Sequence, residues 1–377
     1  MRGIAGPRLR AAGCVDDSLL PVTLVDLLEV HSNMGSERTG RRLEPSRLGE
    51  LVAGFSALRV VVVGDLILDE YLWGRVDRVS PEAPVPVVGV EGSTEALGGA
   101  GNVARNVVAL GGACALCAVV GDDDAGQRVR ALVAEATGSA AGVVVESGRT
   151  TIHKSRVVAR GQQMLRLDRD PQVSIGTATR KQLLAVVEQC AAGASGAIFE
   201  DYAKGVFSET LTPALMAVFR DAGVPVAVDP KTELDDFRGA ALVKPNAAEA
   251  ARLSGLEPLG ETDWRSVVRA LERRLDGAEV ALTRGGVGMT ISGAGGEPRV
   301  VRTHAQEVFD VQGAGDTTIA SLWLARLSGA DLFEAAVIAN AAAGVVVGKL
   351  GTAAASRDEL LAALPQAIEA ARERAGD

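Results

Sequence analysis

The sequence predicts an α/β fold, a doubly wound, mostly parallel sheet flanked by helices, and three observations carry that prediction. Short β-branched or aliphatic runs recur along the chain, each ends in Gly, Asp, Asn or Lys, and Ala/Leu-rich stretches of helical length separate them. The first run is Arg59–Val63, before Gly64 and Asp65. Then come Ala197–Phe199 before Glu200-Asp201, Pro225–Val228 before Asp229-Pro230-Lys231, Ala241–Val243 before Lys244-Pro245-Asn246, and Val280–Leu282 before Thr283-Arg284-Gly285-Gly286. Strands buried on both faces read as continuous apolar runs, not as alternating ones. Ligands bind outside the carboxyl ends of such strands, so the polar residues that close the runs should converge on one cleft.

Two stretches break this rhythm. Tyr71–Val90 holds three prolines and no helical period, and Thr150–Asp168 alternates approximately as a half-exposed strand pair does. Together they predict a small β-strand lid, with segments at about 71–98 and 150–168. Lys154, Arg156 and Arg160 share strand parity, and hence one face, until Gly161 permits a turn. That face is either solvated or an anion clamp. Residues 1–46 carry scattered Arg, Gly, Ser and Pro with one apolar patch, and are expected to be a loosely ordered extension ahead of a domain spanning 47–377.

The 377 residues include 39 Lys+Arg against 48 Asp+Glu, a formal charge of −9. This excess argues against electrostatic capture of nucleic acid or of a membrane surface, which need clustered cations. An anionic substrate would require cations placed locally. No apolar run approaches the roughly 18 residues that span a bilayer, and no secretion signal is legible, so a cytoplasmic protein is expected. Cysteines 14, 114, 117 and 190 are too few for a disulfide framework, and their apolar settings predict buried, inert thiols. Three histidines (31, 153, 304) give little support to a histidine metal cluster or a Ser-His-Asp triad. Gly344-Val-Val-Val-Gly348-Lys349-Leu350 lacks the spacing and the hydroxyl of a P-loop, and no G-x-G-x-x-G follows the first strand.

The strongest chemical signal is Asp310-Val-Gln-Gly-Ala-Gly-Asp316, followed by a helical pattern from Thr317. Gly313, Ala314 and Gly315 can turn tightly and present N–H groups at a helix N-terminus, an anion cradle. Asp316 would repel phosphate there, yet it suits a general base that deprotonates an attacking hydroxyl. The plainer alternative is a helix cap in a tight turn. A second signal is Leu97-Gly98-Gly99-Ala100-Gly101-Asn102-Val103-Ala104-Arg105-Asn106. Here Asn102 and Asn106 lie one helical turn apart, off the face of Val103, Val107 and Leu110, so their amides could bind sugar hydroxyls; an ordinary N-cap is the alternative.

These two motifs together resemble the ribokinase-like (PfkB) carbohydrate kinases, over about Leu48 to Pro365. Further segments are similar to one branch of that family, the D-glycero-β-D-manno-heptose-7-phosphate kinases. They are Val63-Gly-Asp-Leu-Ile-Leu-Asp69, Ser80-Pro-Glu-Ala-Pro-Val-Pro86, Gln162-Gln-Met-Leu-Arg-Leu-Asp168, Asp201-Tyr-Ala-Lys-Gly205, Asp229-Pro-Lys231 and the stretch Ala339–Thr352. The resemblance implies ATP-dependent phosphorylation of a sugar phosphate at its anomeric oxygen, on the route to ADP-heptose and lipopolysaccharide core precursors. It also implies Mg2+, K+ and a homodimer. In many members of the branch an adenylyl-transfer domain follows the kinase; this chain stops about a dozen residues after it, so a separate adenylyltransferase is the expected next enzyme. The alternatives are a kinase of this fold for another sugar, sugar phosphate or nucleoside, and a non-catalytic sugar- or nucleotide-binding protein.

Carried over by position, the resemblance makes Asp316 the catalytic base and the N–H groups from Gly313 to Asp316 the anion hole. It assigns sugar binding to Asp65, Gly98, Gly99 and Asn102, with Asp69 and Asp201 as further candidates. Asn246 and Glu249 match the N-x-x-E motif that organises magnesium and phosphates, Glu249 acting indirectly. Thr283, Gly285, Gly288 and Asn340 fall at the nucleotide pocket, and Asp310 with the main-chain carbonyl of Gln312 at a monovalent-cation site. For the distal phosphate of the sugar the candidate cations are Lys154, Arg156, Arg160, Arg166 and Lys204, the last just beyond Asp201. Four positions depart from the usual pattern: Gln312 replaces Thr, Leu97 Pro, Glu200 Ser and Lys244 Thr.

Overall fold

In the computed structural model the described residues are 43–372, excepting 172–173, 232, 259, 294, 304–310, 350 and 352. In chain order they begin with α1 (Pro45–Ala53), β1 (Arg59–Gly64), β2 (Leu66–Val79), β3 (Pro86–Gly99), α2 (Ala100–Ala109), β4 (Ala113–Gly121), α3 (Asp124–Thr137) and β5 (Val143–Glu146). Next are β6 (Ile152–Ala159), β7 (Gln162–Arg169), α4 (Thr177–Ala191), β8 (Gly196–Glu200), α5 (Thr212–Asp221), β9 (Val226–Asp229) and β10 (Leu242–Val243). The remainder are α6 (Ala247–Ser254), α7 (Glu261–Arg274), β11 (Glu279–Thr283), β12 (Met289–Ser292), β13 (Arg299–Val301), α8 (Ala314–Leu327), α9 (Leu332–Val347) and α10 (Arg357–Arg372).

The four valines of β1 explain the architecture. Val60 and Val62 enter one apolar cluster, Val61 and Val63 the other, as the two-residue side-chain period of a strand requires. The first cluster is covered by α1 to α3 and α8 to α10, the second by α4 to α7. Strand β1 lies inside a sheet of order β13-β12-β11-β10-β9-β8-β1-β4-β5, parallel from β11 to β5 and closed by two antiparallel strands. All five runs named from the sequence are strands within one or two residues of the expected bounds.

A second sheet, of order β3-β2-β6-β7, forms the small β layer. Register pairs Asp69 with Lys154 and Tyr71 with Arg156 across β2 and β6, and Lys154 with Asp168 and Arg156 with Arg166 across β6 and β7. Lys154, Arg156 and Arg166 thus share a face. Arg160 does not join them. Strand β6 ends at Ala159, and Arg160 sits in the turn with φ 53°, donating to the Val76 carbonyl at 2.5 Å.

At the N-terminal side the packed unit begins earlier than position 47. Leu43 is only 6% exposed and its carbonyl accepts from Arg372, while α1 buries Leu48, Leu51 and Val52. We therefore place the boundary before Leu43. A chain starting at Arg42 should unfold in urea at the full-length midpoint. One starting at Arg59 should be strongly destabilised, because each buried Leu, Val or Phe it loses is worth about 1.5–3 kcal/mol.

The thiols are less uniform than expected. Cys117 is buried on β4, but Cys114 and Cys190 are only half-buried. Although the residue is part-exposed, desolvation of its sulfur pushes Cys114 up to about 12, whereas the hydrogen bond from Cys117, with Arg59 nearby, brings Cys190 down to about 7. Among the described residues no helix is long and apolar enough to cross a membrane.

Candidate active site

Five strand ends meet at one edge of the large sheet: Gly64-Asp65, Glu200-Asp201, Asp229, Val243-Lys244 and Thr283. Helix α8 points its N-terminus at them. Gly313 opens that helix at φ 75°, a conformation glycine adopts without Cβ strain. Ala314 N–H reaches the Val311 carbonyl and Thr317 N–H the Gly313 carbonyl. The N–H groups of Gly315 and Asp316 stay at the positive end of the helix dipole.

Asp316 lies in this first turn, 5% exposed. Asn102 Nδ2 donates to its Oδ2 at 2.6 Å, and the Tyr202 hydroxyl donates to its Oδ1 at 3.0 Å. Burial raises its pKa; the two hydrogen bonds and Lys244 oppose the rise, and Asp69 adds to it. Behind Asn102, Arg105 donates to its Oδ1 at 2.7 Å and Asn106 to its carbonyl at 2.9 Å. Asn106 is itself fully buried and accepts from Thr317 Oγ1 at 2.8 Å. It ties α2 to α8; only Asn102 of the two amides faces the Asp316 carboxylate.

The glycine pair before α2 exists for close packing. A Cβ on Gly98 would sit 2.2 Å from Asp69 Oδ2, and one on Gly99, whose φ is 56°, 2.4 Å from the Asp65 carbonyl. Asp69 Oδ1 accepts from Arg156 at 2.6 Å, and that guanidinium lies 5.4 Å from the centroid of the Tyr71 ring.

Several residues expected to touch substrate are occupied by the protein. Asp65 accepts from the N–H groups of Tyr202 and Lys204, both at 3.0 Å, and of Val206 at 3.2 Å. It anchors the 201–206 loop, and burial raises its pKa to about 6. Asp201 accepts from the N–H groups of Ala203 and Lys231. Arg166 pairs with Asp168 at 2.8 Å and Lys204 with Asp170 at 2.5 Å. Among the described residues Lys154 is the one of the five candidate cations with neither a carboxylate nor a carbonyl in contact. Its Nζ lies 5.5 Å from the Tyr202 ring centroid, and burial lowers its pKa although Asp69 and Asp168 oppose this.

Beside the glycine turn lies a buried charge cluster. Lys244, 2% exposed, pairs with Asp229 Oδ2 at 2.7 Å, and a Cβ on Gly315 would stand 3.7 Å from its Nζ. Burial would lower the Lys244 pKa, but Asp229 and Glu200 raise it. Burial pushes Asp229 up to about 7 even with the ammonium in contact, and drives Glu200, whose Oε2 is buried with no hydrogen-bond partner, well above the usual carboxylate range.

On the other side of Lys244 the N-x-x-E pair forms a helix capping box. Asn246 Oδ1 accepts from Glu249 N–H at 2.9 Å, and Glu249 Oε2 from Asn246 N–H at 3.0 Å. Lys231 holds the other Glu249 oxygen at 2.7 Å. Thr283 bridges to Asn246; Gly285, at φ 57°, has open space where a Cβ would go; Gly288 packs against the Val301 carbonyl. Asn340 donates to the Val301 and Arg302 carbonyls, so its amide supports this wall. Gln312 Oε1 accepts from the Tyr71 hydroxyl at 2.6 Å. Asp310 lies outside the described residues. Among those described, no group of three or more His, Cys, Asp or Glu could hold a metal ion.

Sequence reasoning did not bring Tyr202, Lys244 and Arg105 to the surroundings of Asp316. The one available signal was that Lys244 follows a buried strand at its carboxyl end.

The sequence profile described as "pfkB family carbohydrate kinase" matches residues 57–359. The bifunctional protein HldE of Caulobacter sp. strain K31 is 43% identical over 316 residues, 83% of this chain and 64% of that protein. The one from Paramagnetospirillum magneticum is 44% identical over 322 residues, 85% and 66% respectively. The chain thus spans a little under two thirds of the length of these relatives. Phosphofructokinase-2 from Escherichia coli in complex with potassium superposes with a TM-score of 0.70 at 20% identity, covering 84% of this chain and 100% of that one. Arabidopsis thaliana ribokinase complexed with ribose and ATP gives 0.62 at 21%, covering 81% and 98%. Both share the fold.

Proposed function

This chain belongs to the pfkB family of carbohydrate kinases, and from that premise we propose that it transfers the γ-phosphoryl group of ATP to the anomeric O1 of D-glycero-β-D-manno-heptose 7-phosphate. The product is the 1,7-bisphosphate, an ADP-heptose precursor. The observation that carries this reading is a hydrogen-bonded carboxylate, Asp316, set in a helix N-terminus opposite a lid face that bears Lys154.

The sugar lies under the β layer. As O1 attacks phosphorus, the O1–P bond forms, the bond from the γ-phosphorus to the bridging oxygen breaks, ADP leaves, and the hydroxyl proton passes to Asp316. The Gly315 and Asp316 N–H groups and the Lys244 ammonium offset the charge on the migrating group. Magnesium on the phosphates supplies further neutralisation when bound, with Asn246 and Glu249 ordering its surroundings. K+ would be held by Asp310 and the Gln312 carbonyl. Lys154 reads the 7-phosphate, with Arg156 behind it. A homodimer in the cytoplasm, and an adenylyltransferase activity acting next on the product, complete the proposal.

The test is product analysis of the purified protein with ATP, magnesium and a panel of sugars and sugar phosphates. Heptose 7-phosphate should be the best acceptor. Losing a charge-assisted contact of about 1.5–3 kcal/mol in Lys154→Ala should raise its KM roughly 10- to 150-fold and leave that of ATP unchanged. A preference for an unphosphorylated sugar, with no Lys154 effect, would refute the reading.

A further inference from the structure

Two donors serve the carboxylate of Asp316, and they differ in kind. Asn102 stands in the first turn of α2, held by Arg105 and Asn106. Tyr202 stands on the loop whose backbone N–H groups Asp65 gathers, and Lys154 of β6 lies over its ring. One phenol therefore joins the base to both the 201–206 loop and the lid.

We propose that Tyr202 is a positioning residue for the kinase reaction: its hydroxyl orients the Asp316 carboxylate and holds it in the charged, proton-accepting form. The inference rests on the reading of Asp316 as the base. The neighbours explain why such a donor is needed. Burial and three carboxyl groups, Asp69 on β2, Glu200 on β8 and Asp229 on β9, favour the protonated acid. Lys244 after β10 and Arg105 on α2 oppose them, but Lys244 is already paired with Asp229. A neutral donor on Oδ1 favours the carboxylate without adding charge. The phenol keeps its own proton, since the adjacent Asp316 charge, and then burial, push its pKa well above the usual value.

Tyr202→Phe keeps the ring and removes the donor. Losing a hydrogen bond to a charged group should move the acid limb of kcat/KM for the sugar acceptor upward by about one pH unit, with activity recovering as pH rises and the KM of ATP unchanged. A limb that stays in place would overturn the proposal. A second measurement needs no turnover. The chain has two tyrosines, Tyr71 and Tyr202, so ζ-13C-tyrosine labelling yields two resonances, and Tyr202→Phe assigns them. The Tyr202 signal should titrate with the carboxylate and lose that titration in Asp316→Asn; an identical trace in that variant would refute the coupling. If the wild type phosphorylates a different sugar, the proposed substrate falls while both measurements still decide the role of Tyr202.

Discussion

Asp316→Asn should lower kcat by about 10²–10⁴-fold, the usual worth of a positioned general base, while KM for sugar and ATP moves far less. The amide has the shape of the carboxylate but cannot take the hydroxyl proton, so the loss falls on the transition state. Stability should move the other way. The folded state raises the pKa of this carboxyl group, so its contribution to stability is complete only below its ordinary value and declines as pH climbs through the folded value. At neutral pH the amide removes that penalty, and the variant should melt no lower than wild type. Retention of more than a tenth of kcat would eliminate Asp316 as the base, and a lowered melting point would indicate that the variant is misfolded rather than chemically disarmed.

Lys244→Met should give the largest loss of stability. It leaves Asp229 and Glu200 without their shared cation among largely buried side chains, and breaking one side of a buried ion pair costs about 3–5 kcal/mol. The loss should depend on pH. Asp229, with an ordinary pKa of 3.8, already reaches about 7 beside the ammonium and must rise further without it. The variant's folded state then binds more protons than the wild type's, so the gap in urea midpoint should be small at about pH 5 and widen toward about pH 9. A gap independent of pH would mean that the carboxylates do not sense Lys244. Phosphoryl transfer should fall as well, because the ammonium borders the glycine turn.

The fold was legible because β1, β8, β9, β10 and β11 are buried on both faces and must read as unbroken apolar runs with polar ends. Strand β4, Ala113–Gly121, hides in an Ala-Cys-Ala-Leu-Cys-Ala sequence without that signature, and the short antiparallel β12 and β13 carry too few residues to announce themselves. At the site, Gly98, Gly99 and Gly313 stand out in the sequence because close backbone approach or a positive φ demands glycine there, which is why the neighbouring Asn102 and Asp316 could be found. Tyr202 could not be, since its meeting with Asp316 spans 114 positions. Strand parity placed Lys154 and Arg156 on one face but put Arg160 there too, which the turn removes, and it did not tell that Asp69, Asp168 and Asp170 neutralise Arg156, Arg166 and Lys204. Likewise, amide side chains one turn apart do not reveal that Asn106 is consumed between two helices.

The join between the sheets has a mechanical meaning. A single residue, Asp65, separates β1 of the large sheet from β2 of the lid, and Ala100, directly after lid strand β3, donates its N–H to the Asp65 carbonyl at 3.0 Å. The two long lid strands are thus rooted at one point, like a lever on a short axle. Beyond that point on one arm runs α2 with Asn102; gathered on the Asp65 carboxylate is the loop with Tyr202. Any displacement of the lid strands at this root would therefore be shared with both donors to the Asp316 carboxylate, Asn102 through α2 and Tyr202 through the Asp65 carboxylate.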